Sequence, residues 1–232
     1  MMSCMHSPPD DHLAAWVGAW PPTLPVRVVI DPEPELPGWD GTTRGVVGVV
    51  DPEGRCVVRV PPAVAARLVQ PVPDVASLLS ALPGAIGTPG TAGTGVLRWA
   101  QDVPAQEVLP DVGMWLPAAR VGESDPRVPA WLRPFGGEVL VALDHDGRYL
   151  AGVGLKRHHE SGREIAVVTD ERARGHGLAR RLVAQAARYV LAERPAVIYL
   201  HAPGNEASAR VARASGFPDT GWQVLGFWSS AP

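Results

Sequence analysis

Between residues 167 and 179 the chain reads VVTDERARGHGLA, a β-branched run that enters a polar turn and leaves it as the start of an amphipathic stretch. Past the turn, Leu178, Leu182, Ala186 and Tyr189 recur at spacings of four, four and three. That periodicity predicts a helix over residues 177–193, ended by Pro195, with Arg180, Arg181 and Arg188 left for solvent or ligand. A strand that runs through glycines straight into a helix bares the helix's first N–H groups. These have no intrahelical acceptor and together carry about half a positive charge, so the turn suits an anion such as a pyrophosphate. Gly175 and Gly177 let phosphate oxygens come close to the backbone and permit dihedrals that side chains oppose.

The surrounding pattern is that of a strand-rich domain with covering helices. Residues 138–143 and 149–156 flank Asp144-His-Asp-Gly147, a tight-turn sequence, and are expected to pair as an antiparallel hairpin. Residues 164–169 supply a third strand, 196–201 a short, almost wholly apolar strand suited to a covered sheet, 205–214 a second helix and 222–228 a last strand. Proline and glycine, 25 of each, punctuate the first half more heavily. There a hairpin is expected at 45–50 and 56–60 around Asp51-Pro-Glu-Gly-Arg55, then helices at 63–69 and 75–82 and strands at 94–101 and 112–116.

Arg172-Ala-Arg-Gly-His-Gly177 resembles the R/Q-x-x-G-x-G/A signature of the GNAT superfamily of N-acetyltransferases, where it joins a strand to a long helix. Asn205, followed at the family's distance by Gly216-Phe217, resembles a second GNAT pattern. The resemblance covers about ninety residues, from Glu138 to Phe227. It implies an α/β (α+β) fold with a mixed, mostly antiparallel sheet flanked by helices in residues 106–232. Residues 1–105 are then a smaller N-terminal α/β lobe, read either as a lobe of its own or as a degenerate GNAT-like partner. It also implies acetyl-CoA as cosubstrate. The pyrophosphate would meet Arg172, Arg174, Gly175, His176, Gly177, Leu178, Ala179 and Arg180, with Asn205 nearby, and the pantetheine arm would pair with Val167, Val168 and Thr169.

Acetyl transfer needs a neutral amine, whereas a lysine-like amine of pKa about 10.4 is protonated at pH 7. Glu164 is the first candidate base, because some family members use a glutamate on that strand, although their offset from the signature falls near Ser161 here. His201, at the end of the next strand, is the second, with an imidazole suited to proton transfer near neutrality. The bland alternatives are a salt-bridge partner for Glu164 and a hydrogen-bonded strand end for His201. The family often places a tyrosine seven residues after the asparagine, to protonate the departing thiolate; here that residue is Ala212. A backbone N–H on the 167–169 strand would meet the oxyanion. Two functions therefore stay open: an N-acetyltransferase acting on a primary amine of a small molecule or protein, and a degenerate member that binds CoA as a regulator or scaffold.

Other classes find less support. A formal net charge of -3 leaves no basic footprint for nucleic acid or an anionic membrane. No apolar run is long enough for a bilayer span and the first residues do not read as a signal peptide, so a cytoplasmic protein is expected, as a monomer or homodimer. Cys4 and Cys56 form no CxxC, and the adjacent His158 and His159 complete no ligand set, so no metal is expected. A Rossmann fingerprint would need glycine at position 180, which is Arg180, and neither a Walker loop nor a G-x-S-x-G elbow occurs. The eight tryptophans read as packing groups. The acceptor pocket is expected to draw on residues 125–137, with Trp131 and Phe135 either as apolar walls or as core.

Overall fold

The computed structural model describes residues 10–33, 44–116, 127–135, 138–158 and 163–229. In chain order the elements are α1 (Asp10–Val17), β1 (Val26–Ile30), β2 (Val47–Val50), β3 (Cys56–Val60), α2 (Pro62–Ala65), α3 (Val75–Ile86), β4 (Gly90–Ala100), β5 (Met114–Leu116), β6 (Val139–Leu143), β7 (Tyr149–Lys156), β8 (Glu164–Thr169), α4 (Leu178–Leu191), β9 (Val197–His201), α5 (Glu206–Ala214) and β10 (Gln223–Ser229). Short 3-10 turns lie at Ala130–Phe135 and Glu171–Ala173. The described residues divide into two compact units, 10–33 with 44–95 and 221–229, and 96–220. The sequence expectation divides the chain after residue 105 instead. The units differ from it because 96–100 pair with β9, whereas β10 pairs with β2.

In the first unit, the expected hairpin is β2 and β3, in register from Val47↔Arg59 to Val50↔Cys56. Its turn is held by the Asp51 carboxylate, which accepts from Arg55 N at 2.8 Å and Arg55 Nε at 2.7 Å. Gly54 takes φ 81°, the left-handed value such a turn requires. β1, which the sequence reading missed, runs parallel to β3 from Val26↔Cys56 to Ile30↔Val60. α1 was missed as well. α2 is four residues long, shorter than the expected 63–69. α3 is capped by Asp74, whose side chain accepts from Ser77 N at 2.7 Å, and runs past residue 82 to a left-handed stop at Gly87. Its Leu78 and Leu82 are buried among Val58, Val60 and Leu225.

In the second unit the strands follow the order β4, β9, β8, β7, β6, β5. All these pairings are antiparallel except β8 with β9. The fold class is thus as expected, a mixed, mostly antiparallel sheet flanked by helices. α4 lays Leu182, Val183, Ala186 and Val190 on one face of the sheet, against Leu140, Val153, Ile165 and Val197. The opposite face carries the Ala130–Phe135 turn, whose Leu132 and Phe135 fill the space that Gly152 and Gly154 leave. A Cβ on Gly154 would stand 2.6 Å from the Phe135 ring. Phe135 is 7% exposed and meets Trp131 edge-on at 6.1 Å, which favours core over the pocket-wall alternative for these two rings. Residues 125, 126, 136 and 137 of the expected acceptor loop lie outside the described residues, as do His159 and Ser161.

Candidate active site

β8 and β9 stay together for only two register pairs, Glu164↔Ile198 and Ile165↔Tyr199. Further along, β8 keeps its partner on the other side, from Gly154↔Ala166 to Ala151↔Thr169, while Leu200 and His201 pair with β4. The two strands therefore part after Tyr199, and a wedge opens between them. Peptide groups of residues 166–169 that face the wedge have left the ladder with β9. Such groups need partners from elsewhere.

The glycine turn stands at the mouth of this wedge. Asp170 caps the Glu171–Ala173 turn by accepting from Arg172 N at 3.0 Å, and Ala173 N reaches Asp170 O at 2.9 Å. Gly175 (φ 83°) and Gly177 (φ 72°) then reverse the chain. Gly177 is the N-cap of α4, and no side chain caps that helix. A Cβ on Gly175 would meet nothing within 4 Å, so at that position glycine answers the backbone and leaves the approach open.

Turn, wedge and α5 enclose a cavity of about 720 Å³. Ten residues singled out in the sequence line it: Val167, Val168, Thr169, Arg174, Gly175, Gly177, Leu178, Ala179, Arg180 and Asn205. Two do not. The Arg172 guanidinium turns back onto Asp170, Nε to Oδ1 at 2.9 Å, and His176 Nδ1 lies 3.4 Å from Ala173 O. The hydrogen bonds and charge of Arg172 hold the Asp170 carboxyl below its ordinary range and Asp170 raises Arg172 in turn.

Seven further wall residues escaped the sequence reading: Ala173, Tyr199, Ala207, Ser208, Arg210, Val211 and Ala214. Ala207, Val211 and Ala214 follow one another at four and three, so a helical stripe of small residues on α5 was the available signal. Asn205 N-caps α5, its Oδ1 accepting from Ser208 N at 3.0 Å. Three arginines, 174, 180 and 210, share the wall with no aspartate or glutamate. Cavities of one charge sign concentrate ligands of the other, here a polyanion.

Glu164 and His201 stand outside this lining. Glu164 is 8% exposed at the start of β8, its Oε2 3.0 Å from His158 Nε2 and 3.9 Å from Lys156 Nζ. His201 Nε2 receives the Arg98 Nε proton at 3.0 Å, and its Nδ1 lies 3.0 Å from Ala202 O. Arginine only donates, so Nε2 is the acceptor and Nδ1 carries the proton. The imidazole lone pair is thereby engaged. Among the described residues no group of three or more His, Cys, Asp or Glu could hold a metal ion, and no helix is long and apolar enough to cross a membrane.

A parted parallel strand pair, a glycine turn capping a bare helix and three arginines thus border one cavity, an arrangement suited to a polyanionic ligand. Residues 109–217 match the model of the Acetyltransferase (GNAT) family, so this segment of the chain is a GNAT-family domain. No curated protein matches the sequence. Among solved structures, similarity is found to an acetyltransferase of the GNAT family from Colwellia psychrerythraea, at 12% identity, covering 65% of this chain and 63% of that one, with a TM-score of 0.45. A GCN5-related N-acetyltransferase-like protein from Streptococcus suis is similar at 17% identity, 74% and 71% coverage and a TM-score of 0.46. The corresponding values for a GCN5-related N-acetyltransferase from Sphaerobacter thermophilus are 20%, 68%, 58% and 0.43. This chain thus spans 58–71% of the length of these three structures.

Proposed function

We propose that the protein is an acetyl-CoA-dependent N-acetyltransferase that acts on a primary amine of a small molecule or a protein. The observation that carries the reading is the single cavity that joins the parted β8 and β9 to a bare helix start and three arginines. Acetyl-CoA supplies an activated acetyl thioester, a pyrophosphate and a further phosphate. Arg174, Arg180, Arg210 and the first N–H groups of α4 suit the phosphates, each charge-assisted bond contributing about 1.5–3 kcal/mol. The peptide edge of residues 166–169 suits the amide-bearing arm, and an N–H on that edge can stabilise the oxyanion that develops on the acetyl carbonyl.

Of the two candidate bases we keep Glu164 ahead of His201. His201 has its lone pair on Arg98, whereas Glu164 stands at the closed end of the wedge, beside an imidazole that can pass a proton on. The second reading, a CoA-binding domain without turnover, draws its support from Ala212, whose fully buried methyl has no proton to give. The first unit carries no second R-x-x-G-x-G turn, and we assign it no chemistry.

The test is release of free thiol from acetyl-CoA over a panel of polyamines, aminoglycosides, amino acids and lysine peptides. Turnover on one class supports the enzyme. Tight acetyl-CoA binding with no turnover on any supports the second reading.

A further inference from the structure

Arg172 stands outside the cavity lining, and its guanidinium turns toward two partners. Nε lies 2.9 Å from Asp170 Oδ1 and Nη2 3.4 Å from Asp170 Oδ2, while Nη2 also reaches Tyr149 O at 3.4 Å. Tyr149, the first residue of β7, returns to the same stretch of chain with its side chain, its hydroxyl donating to Val168 O at 2.8 Å. One residue therefore holds both ends of 168–172, the length of chain that leaves β8 and enters the glycine turn. The ring can reach across because Gly152 has no side chain: a Cβ there would stand 3.1 Å from Tyr149 Cε2. Burial raises the phenol above its ordinary value, with Trp131 opposing and Asp170 adding, so at neutral pH it keeps the proton that this bond needs.

Asp170 N donates to Leu150 O at 2.8 Å, which continues the β7–β8 ladder beyond Thr169. The alternation of an antiparallel pair then turns Val168 N and O toward Gly152, and those of Val167 and Thr169 toward the wedge. Tyr149 thus holds β8 from the side away from the ligand, and it does not line the cavity. Resting on the acetyl-CoA reading above, we propose that Tyr149 is a positioning residue for the cosubstrate: it fixes the peptide edge of β8 and the glycine turn in one relative placement, so that a ligand with both a pyrophosphate and an amide-bearing arm meets the two together. A ligand that spans two subsites benefits from the second only as far as the two are held at the right separation. Loosening 168–172 removes that benefit while each subsite keeps its own groups. Arg172 belongs to the same brace, acting through Asp170 and the Tyr149 carbonyl.

The test compares a ligand that spans both subsites with one that fills only the turn. CoA is titrated calorimetrically into wild type, Tyr149→Phe and Tyr189→Phe, and ADP, which has the pyrophosphate and no arm, is measured in each by displacement of CoA. Tyr149→Phe keeps the ring over Gly152 and removes only the hydroxyl. Tyr189→Phe removes a comparable bond, to Glu138 Oε2 at 2.7 Å, from a residue outside the cavity lining. The expected result is CoA affinity about fivefold weaker in Tyr149→Phe and within about twofold of wild type in Tyr189→Phe, with ADP affinity within about twofold throughout. Equal CoA affinity in wild type and Tyr149→Phe overturns the positioning role and leaves the cosubstrate reading standing. A parallel loss of CoA and ADP in Tyr149→Phe, or the same loss of CoA in Tyr189→Phe, marks general damage and also overturns it. So does ADP that displaces no CoA from wild type, since the turn then holds no pyrophosphate. A wild type that binds no CoA overturns both the inference and the reading beneath it.

Discussion

Arg98 Nε donates to His201 Nε2 across 3.0 Å, and the same guanidinium reaches Phe217 O at 3.2 Å and Asp219 Oδ2 at 2.8 Å. Arg98 is 3% exposed, so this fan ties β4, β9 and the segment after α5 together from within. Removing it by Arg98→Leu leaves the buried Phe217 carbonyl and the half-buried His201 Nε2 without this donor and is expected to cost about 1–3 kcal/mol, read as a lower urea midpoint with unchanged slope. His201→Asn, which keeps a hydrogen-bonding group, is expected to lose less stability and to retain turnover. A hundredfold fall in kcat for His201→Asn, in a protein of unchanged stability, restores His201 as the base.

Glu164→Gln removes the charge and keeps the shape. If Glu164 accepts the amine proton, kcat falls about a hundredfold or more while acetyl-CoA affinity stays the same. Turnover within about twofold of wild type, measured with the amine that the panel identifies, contradicts the assignment and leaves Glu164 as the partner of His158 and Lys156.

Gly154 is a packing residue. Because its Cβ would stand 2.6 Å from the Phe135 ring, Gly154→Ala forces that ring or its strand to shift, at about 1–3 kcal/mol by denaturant melting. Gly147→Ala meets nothing within 4 Å but sits at φ 77°, so its cost is one of backbone strain alone. Melts in which Gly154→Ala matches wild type contradict the packing of the 3-10 turn on β7.

Asp74, Asp144 and Asp170 are all held below the ordinary aspartate range, Asp74 and Asp144 first by backbone N–H bonds and Asp170 first by the Arg172 side chain. A carboxyl depressed in the folded state gives stability that is present above its unfolded pKa and disappears as pH falls through the folded one. Stability is therefore expected to be level between pH 5 and 7 and to decline from about pH 4 downward. Asp74→Asn keeps an N-cap but should flatten part of that decline, which urea melts at stepped pH would detect.

Much of the second unit was readable from pattern alone. β7 and β8 have the expected ends, because the tight turn at 144–147 starts the one and the break before Glu164 and the Asp170 cap bound the other, and α4 and α5 start at the glycine turn and at Asn205. β1 and α1 were hidden by Pro8-Pro9, Pro21-Pro22 and Pro25, and β1 takes its place only by parallel pairing with β3, a non-local contact that no local pattern encodes. β4 starts at Gly90, inside a glycine-rich run that reads as a loop. A side chain on Gly90 would overlap the Phe227 ring, so the glycine answers a close approach that the sequence does not announce. At the site, the turn was legible because one segment of chain makes it. Tyr199, Ser208 and Arg210 were not, because their common face exists only once β8 and β9 have parted.

The most direct measurement is isothermal titration of acetyl-CoA into wild type and into the Arg174→Glu, Arg180→Glu double variant. Both positions are exposed, so the reversals leave the core untouched. The account predicts saturable one-to-one binding by wild type that weakens with added salt, and a loss of at least about a hundredfold in the variant. No binding by wild type, or equal binding by both proteins, contradicts the assignment of this cavity to the cosubstrate.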